Sequence, residues 1–254
     1  MSVAPLQRTA SSPHRGSIEV ATLLALYTLY EVVRGQGHAT VAAARTHTDW
    51  IVQLERHFHV FGERAVQHAA DAVPAAPTVL GIAYIVLHFV GTTAFLVWLY
   101  RRHRERFALV RNTLIAATGI ALSLYVVFPV APPRLAALGF VDTVSHSAKV
   151  NLSSDLLGSL YNPFAAVPSL HFGYALLVGL TIARVARRPF VRVLGAIYPA
   201  VMLFVIVATG NHFFFDAAAG GLAIGVGYVI ASWVGAARRE PRRRPAVGSA
   251  AVTC

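Results

Sequence analysis

His212 and Asp216 stand four residues apart in "TGNHFFFDAAAG" (209–220), at the edge of a stretch otherwise apolar enough to cross a bilayer. An ionisable pair in such a place is costly, and by default it marks a functional site. Four residues on one helix share a face. A carboxylate bonded to one imidazole nitrogen fixes the tautomer and leaves the other nitrogen as base or nucleophile. A second histidine, His171 in "NPFAAVPSLH", has the chemistry to protonate a leaving oxygen. Arg134 in "APPRL" offers a planar fork suited to phosphate. Ser169 and Asn211 flank the two histidines, and helix N-termini expected at 169 and 212 present amide hydrogens to an anion. The set suggests phosphoryl transfer through a phosphohistidine, with no metal and no cofactor required.

Each residue taken singly has a plainer reading. A membrane-edge histidine is commonly a hydrogen-bonded structural residue, and Arg134 alone could be a snorkelling anchor. His212 and Asp216 could ligate a metal, but no further histidine, cysteine or carboxylate stands near them in sequence to complete a zinc site. Their joint placement carries the argument. Arg134 follows the outer end of a span, Ser169 and His171 open another, and Asn211, His212 and Asp216 open a third.

The positioning elements are read from hydropathy. With 56% hydrophobic and 13% charged residues among 254, the chain is too apolar for an ordinary soluble domain. About six runs reach the roughly 20 residues needed to cross the hydrocarbon core, near 17–34, 77–100, 112–130, 170–186, 190–209 and 213–236. The expected fold class is therefore all-α, a polytopic membrane bundle spanning 17–236. A cytoplasmic segment at 1–16 precedes it, and a basic tail at 237–254 follows, expected to be disordered.

Three arginine clusters, at 101–111, 184–192 and 238–244, account for much of the net charge of +11. They fall on alternate connections. That is the positive-inside pattern, and it implies a multi-pass cell-membrane protein with both termini cytoplasmic and the site extracytoplasmic. Nucleic acid is excluded as partner, and membrane lipids are the expected surroundings. The outer connections carry Arg45, Arg56 and Arg64 balanced by Asp49, Glu55, Glu63 and Asp71. The first of these connections should hold an amphipathic helix within 38–73, with Trp50, Ile51, Leu54, Phe58 and Phe61 on its apolar face. That helix either lies in the interface or packs on the bundle as a solvated outer helix. The second, 131–167, reads as a polar lid or vestibule: Pro132 and Pro133 end a span, and Pro168 suits a first helical turn. Mid-span His88, in "YIVLHFVG", reads as an interhelical hydrogen bond, with a cavity-lining role as the alternative. Cys254 excludes an intramolecular disulfide.

"PSLH" (168–171) and "GNHFFFD" (210–216) resemble the second and third motifs of the type 2 phosphatidic acid phosphatase (PAP2) superfamily. "FPVAPPRL", "NPFAAVPSLH" and "ATGNHFFFDAAAG" most resemble its branch that includes the inositol phosphorylceramide synthases. The resemblance implies His212 as phosphate-accepting nucleophile, Asp216 as its orienting carboxylate and His171 as general acid, with Arg134 and Ser169 holding phosphate. The first motif departs from the family, with Val127 where a lysine is usual and Leu135 after Arg134. The third departs too, with Val205 and Ile206 where Ser-Arg is usual. Lys149, the chain's only lysine, or Asn211 would then supply the missing phosphate contacts. The implied substrate is a lipid phosphate or polyprenyl phosphate, with water or an alcohol as acceptor. A non-catalytic lipid-binding or transport protein on the same scaffold is the alternative. Vanadium haloperoxidase chemistry, which shares the family's phosphate pocket, does not suit membrane spans.

Overall fold

The computed structural model describes residues 41–147 and 162–237, with 16, 17, 19–22, 24, 25, 27 and 28. It is helical, and among the described residues the extended pairing is a single bridge between Val130 and Ala165. Among the described residues four helices are long and apolar enough to cross a membrane: Ala76–Arg102, Arg104–Val127, Pro189–Ala208 and Phe214–Ala237. An apolar helix of 16 residues, Leu170–Val185, joins them; at 1.5 Å per residue it spans about 24 Å. Half of the expected first span, 17–34, lies outside the described residues, and those of it that are described are helical.

Two shorter helices precede the bundle: α1 (Val41–His57) and α2 (Glu63–Asp71). The bundle follows as α3 (Ala76–Arg102), α4 (Arg104–Val127), the short α5 (Thr143–Ser147), α6 (Leu170–Val185), α7 (Pro189–Ala208) and α8 (Phe214–Ala237). The expected 112–130 span begins eight residues earlier than its apolar run. Arg104, Arg106 and Arg111 are good helix formers, so His103 alone separates α3 from α4, and the arginines lie in helix rather than loop. Arg111 is bonded to Glu19 and to Asn112.

α1 buries Ala44, Thr48, Ile51, Val52 and Glu55, whereas Trp50 and Phe58 stay exposed. The packed face is thus turned from the apolar stripe read from the sequence and includes a carboxylate. α1 packs on the bundle: Thr48 Oγ1 bonds the Ala131 backbone, and His47 Nδ1 lies 2.8 Å from the Pro129 carbonyl.

Glycines set the close helix crossings. A Cβ on Gly220 of α8 would lie 2.2 Å from the Ser169 carbonyl oxygen, and one on Gly173 of α6 would lie 2.9 Å from the Gly220 carbonyl oxygen. α6 and α8 therefore meet backbone to backbone, at the end where the motif residues lie. Gly179 and Gly195 do the same for α6 and α7. In α3, the turn Leu87–Gly91 is π-helical. Tyr198 of α7 donates to the Leu87 carbonyl at 2.8 Å, and Gly91 leaves room for its hydroxyl.

Candidate active site

α8 begins at Phe214, so His212 precedes the helix rather than sitting on its face. Asp216 draws it in. One oxygen, Oδ2, accepts from the Phe213 amide at 2.9 Å and lies 3.1 Å from His212 Nδ1. An acid in the first turn that accepts the amide just ahead of the helix is one half of a capping box; here the same atom also orients an imidazole. Holding Nδ1 leaves Nε2 as the nitrogen available to act as base or nucleophile. Asp216 is fully buried and His212 nearly so.

The turn before them is built by Gly210, whose φ of +66° suits glycine. A side chain there would strike Gln67 Nε2 and the Val141 carbonyl. Asn211 Nδ2 bonds Thr209 Oγ1 at 2.9 Å, and Asn211 Oδ1 accepts from Arg134 Nε at 2.9 Å. Arg134 Nη1 bonds Asp142 Oδ2 at 3.2 Å, and the Arg134 amide donates to the Gly210 carbonyl. Arg134 is thereby locked beside the His212 turn. Asp142 also caps α5, accepting from the Ser145 amide at 3.1 Å.

Ser169 is the N-cap of α6, its hydroxyl accepting from the Phe172 amide. Its own amide donates to the Asp216 carbonyl at 2.9 Å. Pro168 consequently precedes the cap and does not occupy the first helical turn expected for it. His171, in the first turn of α6, lies 5.8 Å from His212 between ring centroids. Its ring is stacked at 4.1 Å on Tyr84 and at 4.0 Å on His88, both from α3.

The structure thus brings all six expected residues together. It also corrects the anion site expected at the start of α8: the amides there are occupied. Glu63 Oε1 accepts from the Phe214 amide at 2.9 Å, and Glu55 Oε1 accepts from the Phe215 amide at 2.7 Å. Both glutamates are buried, although the sequence placed them among solvated charges. Tyr84, Asp142, Glu55 and Glu63 were missed. Only Asp142, an acid three residues before Ser145 in a polar turn, carried a local signal, that of a helix cap. His88 is a stacking partner of His171. Lys149 and most of the 131–167 lid's polar centre lie outside the described residues. The three phenylalanines between His212 and Asp216 face protein: Phe213 is fully buried beside Ile51 and Val130, Phe214 packs in the Met202 cluster, and Phe215 meets the edge of Trp50.

Apolar spanning helices around a buried imidazole–carboxylate pair and a second imidazole define a membrane protein with an ionisable centre at one end of its bundle. A profile of the PAP2 superfamily matches residues 49–230, from within α1 to within α8, and the chain belongs to that superfamily. The superfamily generally comprises phosphatases and phosphotransferases, and the apolar helices fit an integral-membrane member. No curated protein and no solved structure matches the chain significantly.

Proposed function

We propose that the protein is an integral-membrane phosphatase or phosphotransferase acting on a lipid phosphate or polyprenyl (di)phosphate through a phosphohistidine. The observation that carries this is the Asp216–His212 contact, with His171 facing the same ring. His212 Nε2 attacks phosphorus, the bond from phosphorus to the leaving oxygen breaks, and His171 gives that oxygen its proton. His171 then takes a proton from water as the water attacks phosphorus, which frees phosphate and restores His212. An alcohol in place of water gives transfer, the outcome suggested by the likeness to inositol phosphorylceramide synthases. Arg134, Ser169 and Asn211 hold the phosphoryl oxygens, with Arg134 exchanging Asp142 for substrate. The reaction as written needs no metal. Six spans, cytoplasmic termini and an extracytoplasmic site complete the reading, on the strength of the arginine distribution.

One observation favours a binding or transport protein instead. Val205 and Ile206, at positions where the superfamily usually has Ser-Arg, are buried and apolar. Phosphate release by the purified protein from a panel of lipid phosphates, without added metal and beside His212→Ala, separates the two. Release abolished by the substitution supports the enzyme. No release and no transfer to supplied alcohols supports the binder.

A further inference from the structure

The end of α8 that carries His212 and Asp216 is held by two carboxylates from distant parts of the chain. Glu55 lies near the end of α1 and Glu63 opens α2. Each gives one oxygen to an amide of the first turn of α8, where intrahelical partners are lacking. Their other oxygens, both named Oε2, are buried and meet no donor among the described residues. The amides they hold, those of Phe214 and Phe215, are consecutive, so the two carboxyl groups are neighbours.

Among the described residues no cation is paired with them. The Arg56 guanidinium lies over the Phe61 ring at 5.1 Å, and that of Arg64 packs beneath Gly139. The third group near them is itself an acid: Asp216, whose charge is engaged by His212. Glu55 lines an apolar recess with Leu54, Phe58, Val60, Phe214 and Phe215. Two adjacent carboxylates in such surroundings cannot both ionise, whereas one shared proton turns their repulsion into a bond. The helix N-terminus favours a single negative charge.

We propose that Glu55 and Glu63 share one proton and act together as the positioning pair for the catalytic end of α8. They touch no substrate. They fix the first turn from which Asp216 orients His212. Burial, followed by the neighbouring Glu63, holds the Glu55 carboxyl far above the usual carboxylate range, at about 9, against the opposing pull of the Phe215 amide.

Glu55→Gln keeps the oxygen that accepts from Phe215 and supplies an N–H for Glu63, so it mimics the protonated acid; Glu55→Ala does neither. Two measurements on the full chain in detergent test the pair. By infrared spectroscopy, wild type and His212→Ala at neutral pH should both show a protonated-carboxyl stretch that Glu55→Gln lacks. By hydrogen exchange, the amides of 213–216 should stay protected in Glu55→Gln and exchange about tenfold faster in Glu55→Ala, the loss of a buried hydrogen bond. Absence of the band in wild type, its survival in Glu55→Gln, or equal deprotection in the two variants overturns the proposal. The proposal rests on the phosphohistidine reading only for the word catalytic. Neither measurement needs turnover, so a failure of that reading is seen separately, as absent phosphate release.

Discussion

A single oxygen of Asp216 serves both the Nδ1 of His212, at 3.1 Å, and the backbone amide of Phe213, at 2.9 Å. Helix capping and orientation of the His212 ring are therefore one interaction. Asp216→Asn keeps the size of the group but presents a neutral amide to the ring. The ring's tautomer is no longer dictated, and the positive charge that develops on the ring as Nε2 bonds phosphorus loses its counter-charge. Turnover should fall about 10²-fold or more, with a smaller effect on KM. Steady-state kinetics on the purified variant check this.

His171 depends on α3 for its direction, since Tyr84 and His88 stack on it. Stacked aromatic pairs contribute about 0.5–1.5 kcal/mol, so His88→Ala should lower kcat roughly three- to tenfold with KM little changed. His88→Phe, which keeps a ring but not the nitrogens, should recover most of the loss. A KM-against-kcat comparison of the two variants decides it.

Backbone contact between α6 and α8 sets the distance between the two imidazoles. Gly220→Ala forces a Cβ toward the Ser169 carbonyl, at 2.2 Å in the unrelaxed geometry. Overpacking of this kind costs about 1–3 kcal/mol, and because Ser169 lies two residues before His171, activity should fall with stability. Gly225→Ala, on the same helix but with nothing within 4 Å of the new Cβ, should leave both unchanged or raise stability slightly. Thermal unfolding in detergent, paired with an activity assay, reads both.

Stability should also depend on pH through Glu55. Its carboxyl ionises at about 9 in the fold, against 4.5 for an ordinary glutamate. Between those values the unfolded chain has released a proton that the folded chain keeps, so this contribution declines as pH rises. It is fully present below about 4.5 and levels off above about 9, with a slope of at most about 1.4 kcal/mol per pH unit. Glu55→Gln removes the slope. Its unfolding temperature relative to wild type should therefore rise with pH across that window.

Much of this architecture was legible in the sequence, for identifiable reasons. Apolar runs marked the spanning helices because a bilayer admits few alternatives. The histidines, Asp216, Ser169, Asn211 and Arg134 were legible because polar residues at span ends stand out. The helical arginines of α4 were hidden because composition reports polarity, not conformation. Glu55 and Glu63 were read as solvated because nothing local distinguishes a buried acid from an exposed one: their partners, Phe215 and Phe214, lie some 150 residues away. The sandwich around His171 was equally hidden, since it depends on a π turn in α3 held by Tyr198 of α7.

In the proposed reaction His212 carries the phosphoryl group. Purified protein mixed with a radiolabelled lipid phosphate and quenched in alkali tests it most directly, since a phosphohistidine survives base and is lost in acid. Base-stable, acid-labile label is expected on wild-type protein and none on His212→Ala. Label persisting on His212→Ala, or turnover by wild type with no label trapped at any time, would contradict it.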